Sequence, residues 1–332
     1  MGAAPGRRLD GAVDPAARRR PRAGVAPGRG PVRLRGPRLE VGQPGVEARG
    51  MKTLRHGRPL RPGRVLQYAA LAAVVLIADL PLLWILFTAV KPDEEIISYP
   101  PTFLPHTLTL DNFRTLFEIS SFGTYLTNSL IVAAVSTLLV VGLGTCAAYA
   151  LVRFRIPGLR WIGELSLFAY LVPPILVLVP VSQLVARFGL ANNLAALVVI
   201  YTATLLPFAL WTLRSYFHGL TVELEDAAMV DGCTRFGAFV RVVLPQSVPG
   251  LIATAVFAFN AAWSEYLFAS TLMAEPDKLT LSPGLSLLMD QTSVYSWGVL
   301  MAAALIVVAP VLVLFVIVQK FLVGGIGQGA VK

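Results

Sequence analysis

The sequence predicts an all-α membrane protein with six transmembrane helices, and three observations carry that prediction. Of 332 residues, 55% are hydrophobic and only 14% are charged. The apolar residues gather into six runs, each of the roughly 20 residues needed to cross a hydrocarbon layer about 30 Å thick as a helix. The charges lie between those runs and are biased by sign from one connection to the next, as the two faces of a membrane demand. Long unbroken runs also favour helices over barrel strands, because a helix satisfies its backbone hydrogen bonds within one segment.

The first element is a leader over 1–64. It holds 16 of the 28 basic residues and 4 of the 19 acidic ones, a local net of +12 in a chain whose total is +9. The excess therefore belongs to the leader, where it reads as an orientation signal beside a first span and not as a nucleic-acid arm. Its Gly, Pro and Arg content and its lack of apolar periodicity predict disorder. Met51 offers an alternative start, since Met51-Lys-Thr-Leu-Arg-His-Gly-Arg is already a short basic flank. The apolar run that follows is too long for the core of a cleaved secretory signal.

The spans are expected at 65–90, 124–151, 162–186, 194–216, 248–272 and 297–322, which together make a membrane domain over 65–322. An even number puts both termini on one side. The leader, the second-to-third and fourth-to-fifth connections and the tail carry 24 basic residues. The opposite connections keep only Lys91, Arg114, Arg187 and Lys278, and collect Asp93, Glu94, Glu95, Asp111, Glu118, Glu275 and Asp277. Both termini, the tail over 323–332 and the loop over 219–246 are thus expected in the cytoplasm. The segment from Ser98 to Pro105 is rich in proline and suits an ordered external loop.

Within 219–246 the pattern Glu225-Asp226-Ala227-Ala228-Met229-Val230-Asp231-Gly232, closed by Leu244-Pro245, predicts a helix, turn, helix knob. Thr221 is expected to cap the first helix, whose acidic first turns complement its dipole. Ala227 and Ala228 leave a flat face, with Leu224, Met229 and Val230 as apolar anchors beside it. Gly232 allows the left-handed backbone that ends a helix. Thr234 is expected to cap a second helix running to Leu244, with Pro245 ending it.

Polar residues inside spans are costly and usually face protein or water. Asp79 in the first span and Asn260, Trp263, Ser264 and Glu265 in the fifth are candidates for a solute path, because an aromatic ring beside hydrogen-bonding groups suits a hydroxylated ligand. The same residues suit helix packing. Pro173, Pro174, Pro180, Pro207 and Pro310 should kink or interrupt their helices. Cys146 and Cys233 are two spans apart and the three histidines are scattered, which argues against a disulfide framework and a metal site. No GxxxxGK[ST] phosphate loop occurs, and Gly324-Gly-Ile-Gly-Gln-Gly329 follows a helix and precedes nothing, so it reads as a flexible tail. No nucleophile, base and orienting group assemble, so the chain is expected to be no enzyme and to bind no cofactor.

The loop pattern resembles the cytoplasmic loop of permease subunits of bacterial ABC importers, written E-A-A, three residues, G, then a delayed L-P, with Asp226 at the Glu position. Thr127-Asn-Ser-Leu-Ile-Val132, Ala147-Ala-Tyr-Ala-Leu151, Leu206-Pro-Phe208, Trp263-Ser-Glu-Tyr-Leu-Phe-Ala269 and Gln319-Lys-Phe-Leu-Val-Gly-Gly resemble landmarks of the carbohydrate permeases of that family. Where those permeases commonly have W-N-E-F, this chain has Ser264 and Tyr266. The resemblance implies a type I importer fold in a bacterial inner membrane, a second related permease, two ATP-binding cassette subunits that hold ATP and magnesium, and an extracytoplasmic solute-binding protein. It implies that Glu225, Asp226, Ala227, Ala228, Asp231, Gly232, Leu244 and Pro245 couple the chain to its ATPase. Aspartate at 226 keeps the charge and shortens the reach by one methylene, with Glu225 a substitute beside it. The alternative is a self-sufficient transporter or channel driven by an ion gradient through Asp79 and Glu265.

Overall fold

Helices account for the expected spans, with a break in the third and a stop within the fifth. The structure, a computed structural model, describes residues 62–154, 157–291 and 297–329. Most of the expected leader lies outside the described residues. The first helix, α1 (Pro62–Ala89), contains Pro81 and buries none of its most apolar stretch against the rest of the chain. Two short helices, α2 (Asp93–Ile96) and α3 (Asp111–Ile119), lie in the connection to α4 (Phe122–Arg153). At 1.5 Å per residue the 32 residues of α4 reach roughly 48 Å, beyond the hydrocarbon layer at both ends.

The third span is broken. Helices α5 (Leu159–Tyr170) and α6 (Pro174–Arg187) meet at an angle of 102°. Pro173 and Pro174 lack backbone N–H groups and disfavour helical backbone before them, so the chain turns there. The fourth span is α7 (Leu194–His218), capped by Asn193, whose side-chain oxygen accepts from the Ala195 N–H at 2.9 Å.

The connection between the fourth and fifth spans forms α8 (Glu223–Val230) and α9 (Arg235–Ala238), then a π-helical turn over Phe239–Val243 that runs straight into α10 (Leu244–Trp263). Pro245 therefore does not end a second helix, contrary to the sequence expectation. Having no N–H, it cannot bond the carbonyl four residues back, and its ring crowds that carbonyl. The backbone widens just upstream, where the Leu244 N–H donates to the Phe239 carbonyl five residues back, and Pro245 sits in the first turn of α10.

The fifth span also ends earlier than expected. α10 stops at Trp263, Ser264–Tyr266 are non-helical, and α11 (Leu267–Leu272) follows. α12 (Leu281–Gln291) lies in the next connection, and α13 (Trp297–Gly329) carries the last span past the expected boundary at 322, so the Gly-rich tail continues the helix to Gly329.

α4, α7 and α10 form the centre of the bundle. Their contacts use small buried residues, Ala133, Ser136, Ala148, Ala209 and Ala258. In lipid, where apolar burial gives little advantage, close backbone approach through small side chains is the main source of helix association. Near the N-terminal end of α4, Asn128 donates to the carbonyls of Asp277 and Leu279 at 3.0 and 2.9 Å, and the Ser129 hydroxyl accepts from the Leu281 N–H at 2.7 Å. These two side chains fix the chain ahead of α12.

Candidate functional site

The knob begins at α8, whose first turn holds Glu223, Glu225 and Asp226. Its N-cap is Val222, which makes no side-chain cap; Thr221 is not the cap the sequence suggested. The helix ends as the glycine predicts. Gly232 has φ +91, and the Gly232 and Cys233 N–H groups donate back to Met229 and Ala228 at 3.1 and 3.0 Å, closing the last turn. Thr234 then caps α9, its hydroxyl accepting from the Gly237 N–H at 3.1 Å.

The side chains divide sharply by direction. Asp226, Ala227, Asp231 and Gly232 are exposed, Ala228 is half-buried, and Val230 and Phe236 are 87% and 74% exposed. Leu244 is half-buried against the cluster of Tyr149, Leu213 and Phe217, while Pro245 is exposed. Of the residues expected to couple, Glu225 alone is fully buried. Its carboxylate accepts from Arg153 Nε at 2.6 Å and from the Tyr149 hydroxyl at 3.0 Å. The knob thus presents an apolar, acidic outer surface, and Glu225 is occupied within the chain and not available as a substitute for Asp226.

A second feature lies at the break in the third span. A cavity of about 390 Å³ is bounded there by α5, α6, α7, α10 and α11, and includes Tyr170, Thr204, Pro207, Phe257 and Glu265. Phe257 stacks on Phe208 at 3.8 Å between ring centroids, and the Tyr170 ring lies 5.9 Å from that of Phe208. Of the five residues singled out for a solute path, Glu265 alone lines this cavity. Trp263 is buried, donates from Nε1 to the Val307 carbonyl at 3.2 Å and stacks on Phe259. Asn260 and Ser264 are exposed, with the Ser264 hydroxyl donating to the Asn260 carbonyl at 2.6 Å. Asp79 is exposed on α1. Tyr170, Thr204 and Phe257 were not singled out from the sequence, although Pro173 and Pro174 mark the break beside them; Pro207, expected to interrupt its helix as well, lies inside the unbroken α7.

The knob and the six helical segments agree with what comparison with known proteins finds. Residues 140–328 match the model of the family described as "Binding-protein-dependent transport system inner membrane component". The chain is 36% identical over 267 residues to the inner membrane ABC transporter permease protein YcjP of Escherichia coli, covering 80% of this chain and 95% of that protein. It is 34% identical to the sulfoquinovosyl glycerol transport system permease protein SmoH of Agrobacterium fabrum, covering 85% and 97%, and 37% identical to the diacetylchitobiose uptake system permease protein DasC of Streptomyces coelicolor, covering 81% and 98%. Among solved structures, a bacterial ABC transporter that imports the acidic polysaccharide alginate shares the fold, with a TM-score of 0.68 at 20% identity over 80% of this chain and 98% of that one. The chain belongs to the binding-protein-dependent inner membrane component family and is the permease subunit of an ABC importer. That membership sets aside the ion-driven alternative.

Proposed function

We propose that this permease imports a sugar, oligosaccharide, polyol or glycerol-phosphate-like solute. It pairs with a second, related permease, two ATPase subunits and an extracytoplasmic solute-binding protein. The observation that carries the cargo class is the cavity at the broken third span, where the Tyr170 and Phe257 rings share one space with the Thr204 hydroxyl and the Glu265 carboxylate. Sugars present apolar C–H faces to rings and hydroxyls to such polar groups. The relatives named for sulfoquinovosyl glycerol and diacetylchitobiose support the same reading.

In this reading both termini and the knob lie in the cytoplasm, as the distribution of Lys and Arg suggests. The outer surface of the knob, from Leu224 and Asp226 through Val230 to Phe236, rests on the ATPase. ATP and magnesium stay on that partner. Its closure moves the knob and α10 together, and the paired permeases alternate between openings to the two sides. Asn260 and Ser264, exposed in the single chain, face the second permease or the path between the two.

The test is to screen the solute-binding protein that co-purifies with the complex against a panel of sugars by calorimetry, and then to measure uptake of the sugar it binds by wild type and by Phe257→Ala. Binding of a sugar together with reduced uptake by the variant supports the proposal. A binding protein that takes only amino acids or inorganic ions overturns the cargo class.

A further inference from the structure

The knob is joined covalently to α7 through the short connection after His218 and to α10 through the continuous helical run from α9. No covalent link joins it to α4, the longest helix at the centre of the bundle. We infer that Arg153 and Glu225 form a buried latch that fastens the knob to the cytoplasmic end of α4, so that movement imposed on the knob reaches the second span directly. This inference rests on the proposed docking of the knob to the ATPase.

The geometry leaves little of the pair free. Both side chains are only 8% exposed. One Glu225 oxygen takes the Arg153 Nε–H at 2.6 Å and the other takes the Tyr149 hydroxyl at 3.0 Å, while Arg153 Nη2 donates to the Leu220 carbonyl at 3.2 Å. Two residues one turn apart on α4 therefore hold both ends of the same carboxylate, and the guanidinium also holds the chain entering α8. Aromatic rings close over this arrangement: Tyr149 lies 4.4 Å from Phe239 and 6.2 Å from both Phe154 and Phe217, measured between centroids. Phe239 belongs to the π-helical turn, so the same cluster grips the root of α10.

Stabilisation of the α8 dipole does not explain the burial. Glu223 and Asp226 stand in the same first turn, exposed, and supply negative charge there already. A carboxylate withdrawn from water loses hydration that only well-formed partners restore, and removing one partner leaves the other charge stranded. A contact of that kind resists being pulled apart, as a transmitting joint must. Glu225 and Arg153 are accordingly positioning residues, with no contact to solute or nucleotide required of them.

The experiment uses the full complex with its binding protein, in lipid nanodiscs, with ATP and vanadate as the probe. Cys146 and Cys233 are changed to serine, and Ala203→Cys, an exposed position on the α7 wall of the cavity, reports through its rate of maleimide labelling. Wild type is expected to trap nucleotide and to change its labelling rate on trapping. Glu225→Gln and Arg153→Met are expected to retain the ATPase subunit and trap nucleotide while losing about tenfold or more of that change. The charge-reversed pair Arg153→Glu with Glu225→Arg should recover part of it. Single variants that trap nucleotide and change labelling as wild type does overturn the latch. So does a reversed pair no better than the singles. Loss of the ATPase subunit from the single variants assigns the pair to folding and overturns it as well. Failure of the wild-type chain itself to retain an ATPase overturns the docking of the knob, a separate result.

Discussion

The Tyr201 hydroxyl donates to Oε2 of Glu265 across 2.6 Å, tying the middle of α7 to the break between α10 and α11. The same carboxylate accepts from the Phe268 and Ala269 N–H groups at 2.9 and 3.1 Å, so it also caps α11. Tyr201→Phe removes one neutral donor and should lower the stability of the purified permease by about 1 kcal/mol. Glu265→Ala leaves the tyrosine hydroxyl and two helix N–H groups without their acceptor and should cost about 2 kcal/mol or more. Thermal unfolding in detergent should rank them in that order.

The exposed tip of the knob gives a prediction of the opposite kind. Val230 and Phe236 touch little within the chain, and burying them against a partner would make them energetic anchors. Phe236→Asp should leave the unfolding temperature close to wild type while weakening retention of the ATPase by about 2 kcal/mol, roughly thirtyfold. Co-purification from native membranes, compared with wild type at equal expression, measures it.

Two glycines should respond differently to alanine. A Cβ at Gly284 would lie 2.3 Å from Cδ2 and 2.7 Å from Cγ of Tyr125, atoms at the near side of a buried ring that cannot swing away. Gly284→Ala should cost about 1–3 kcal/mol by overpacking. At Gly232 nothing lies within 4 Å, and the cost of alanine comes from φ +91 alone, about 1 kcal/mol. Stability measurements should therefore find Gly284→Ala the more damaging, while Gly232→Ala acts chiefly on retention of the ATPase.

The connection between α1 and α4 carries a pH dependence. The Thr102 hydroxyl donates to Glu95 at 2.7 Å, and with the His106 N–H groups it holds the Glu95 carboxyl down from 4.5 to about 2. Lys91, in turn, donates to the Thr102 carbonyl and hydroxyl and lies over the Trp84 ring. A depressed carboxyl stabilises the fold fully above its unfolded value and loses that contribution as pH falls through its folded value. The loop over 93–110 should therefore keep its resistance to an acid-tolerant protease down to about pH 4.5 and lose it progressively towards pH 2. Glu95→Gln should flatten that decline.

The spans were legible because their length and apolarity are local properties, and Gly232 was legible because a left-handed residue at the end of a helix leaves few alternatives. Pro245 was not, since proline ends a helix or opens one with equal ease, and the choice here lay with the turn before it. The break at Ser264–Tyr266 carries neither proline nor glycine; it is made by the Glu265 side chain, which bonds N–H groups that a continuous helix would have paired itself. The inward turn of Glu225 depends on Arg153, 72 residues earlier, a pairing that no local pattern records. The cavity likewise draws Tyr170, Thr204 and Phe257 from three separate helices.

The helical run from Arg235 to Trp263 spans 29 residues with no loop along it, roughly 44 Å at the rise of a helix. It is seated on the bundle along its length, through Phe239 and Val243 near one end, Ser247, Gly250, Thr254 and Ala258 in the middle, and Ala262 and Trp263 at the other end. A rod held that way hands a displacement of one end to the other without a loop to absorb it. Displacing the Arg235 end would therefore shift the Trp263 end and, through the Trp263 bond to the Val307 carbonyl, reach the last helix as well.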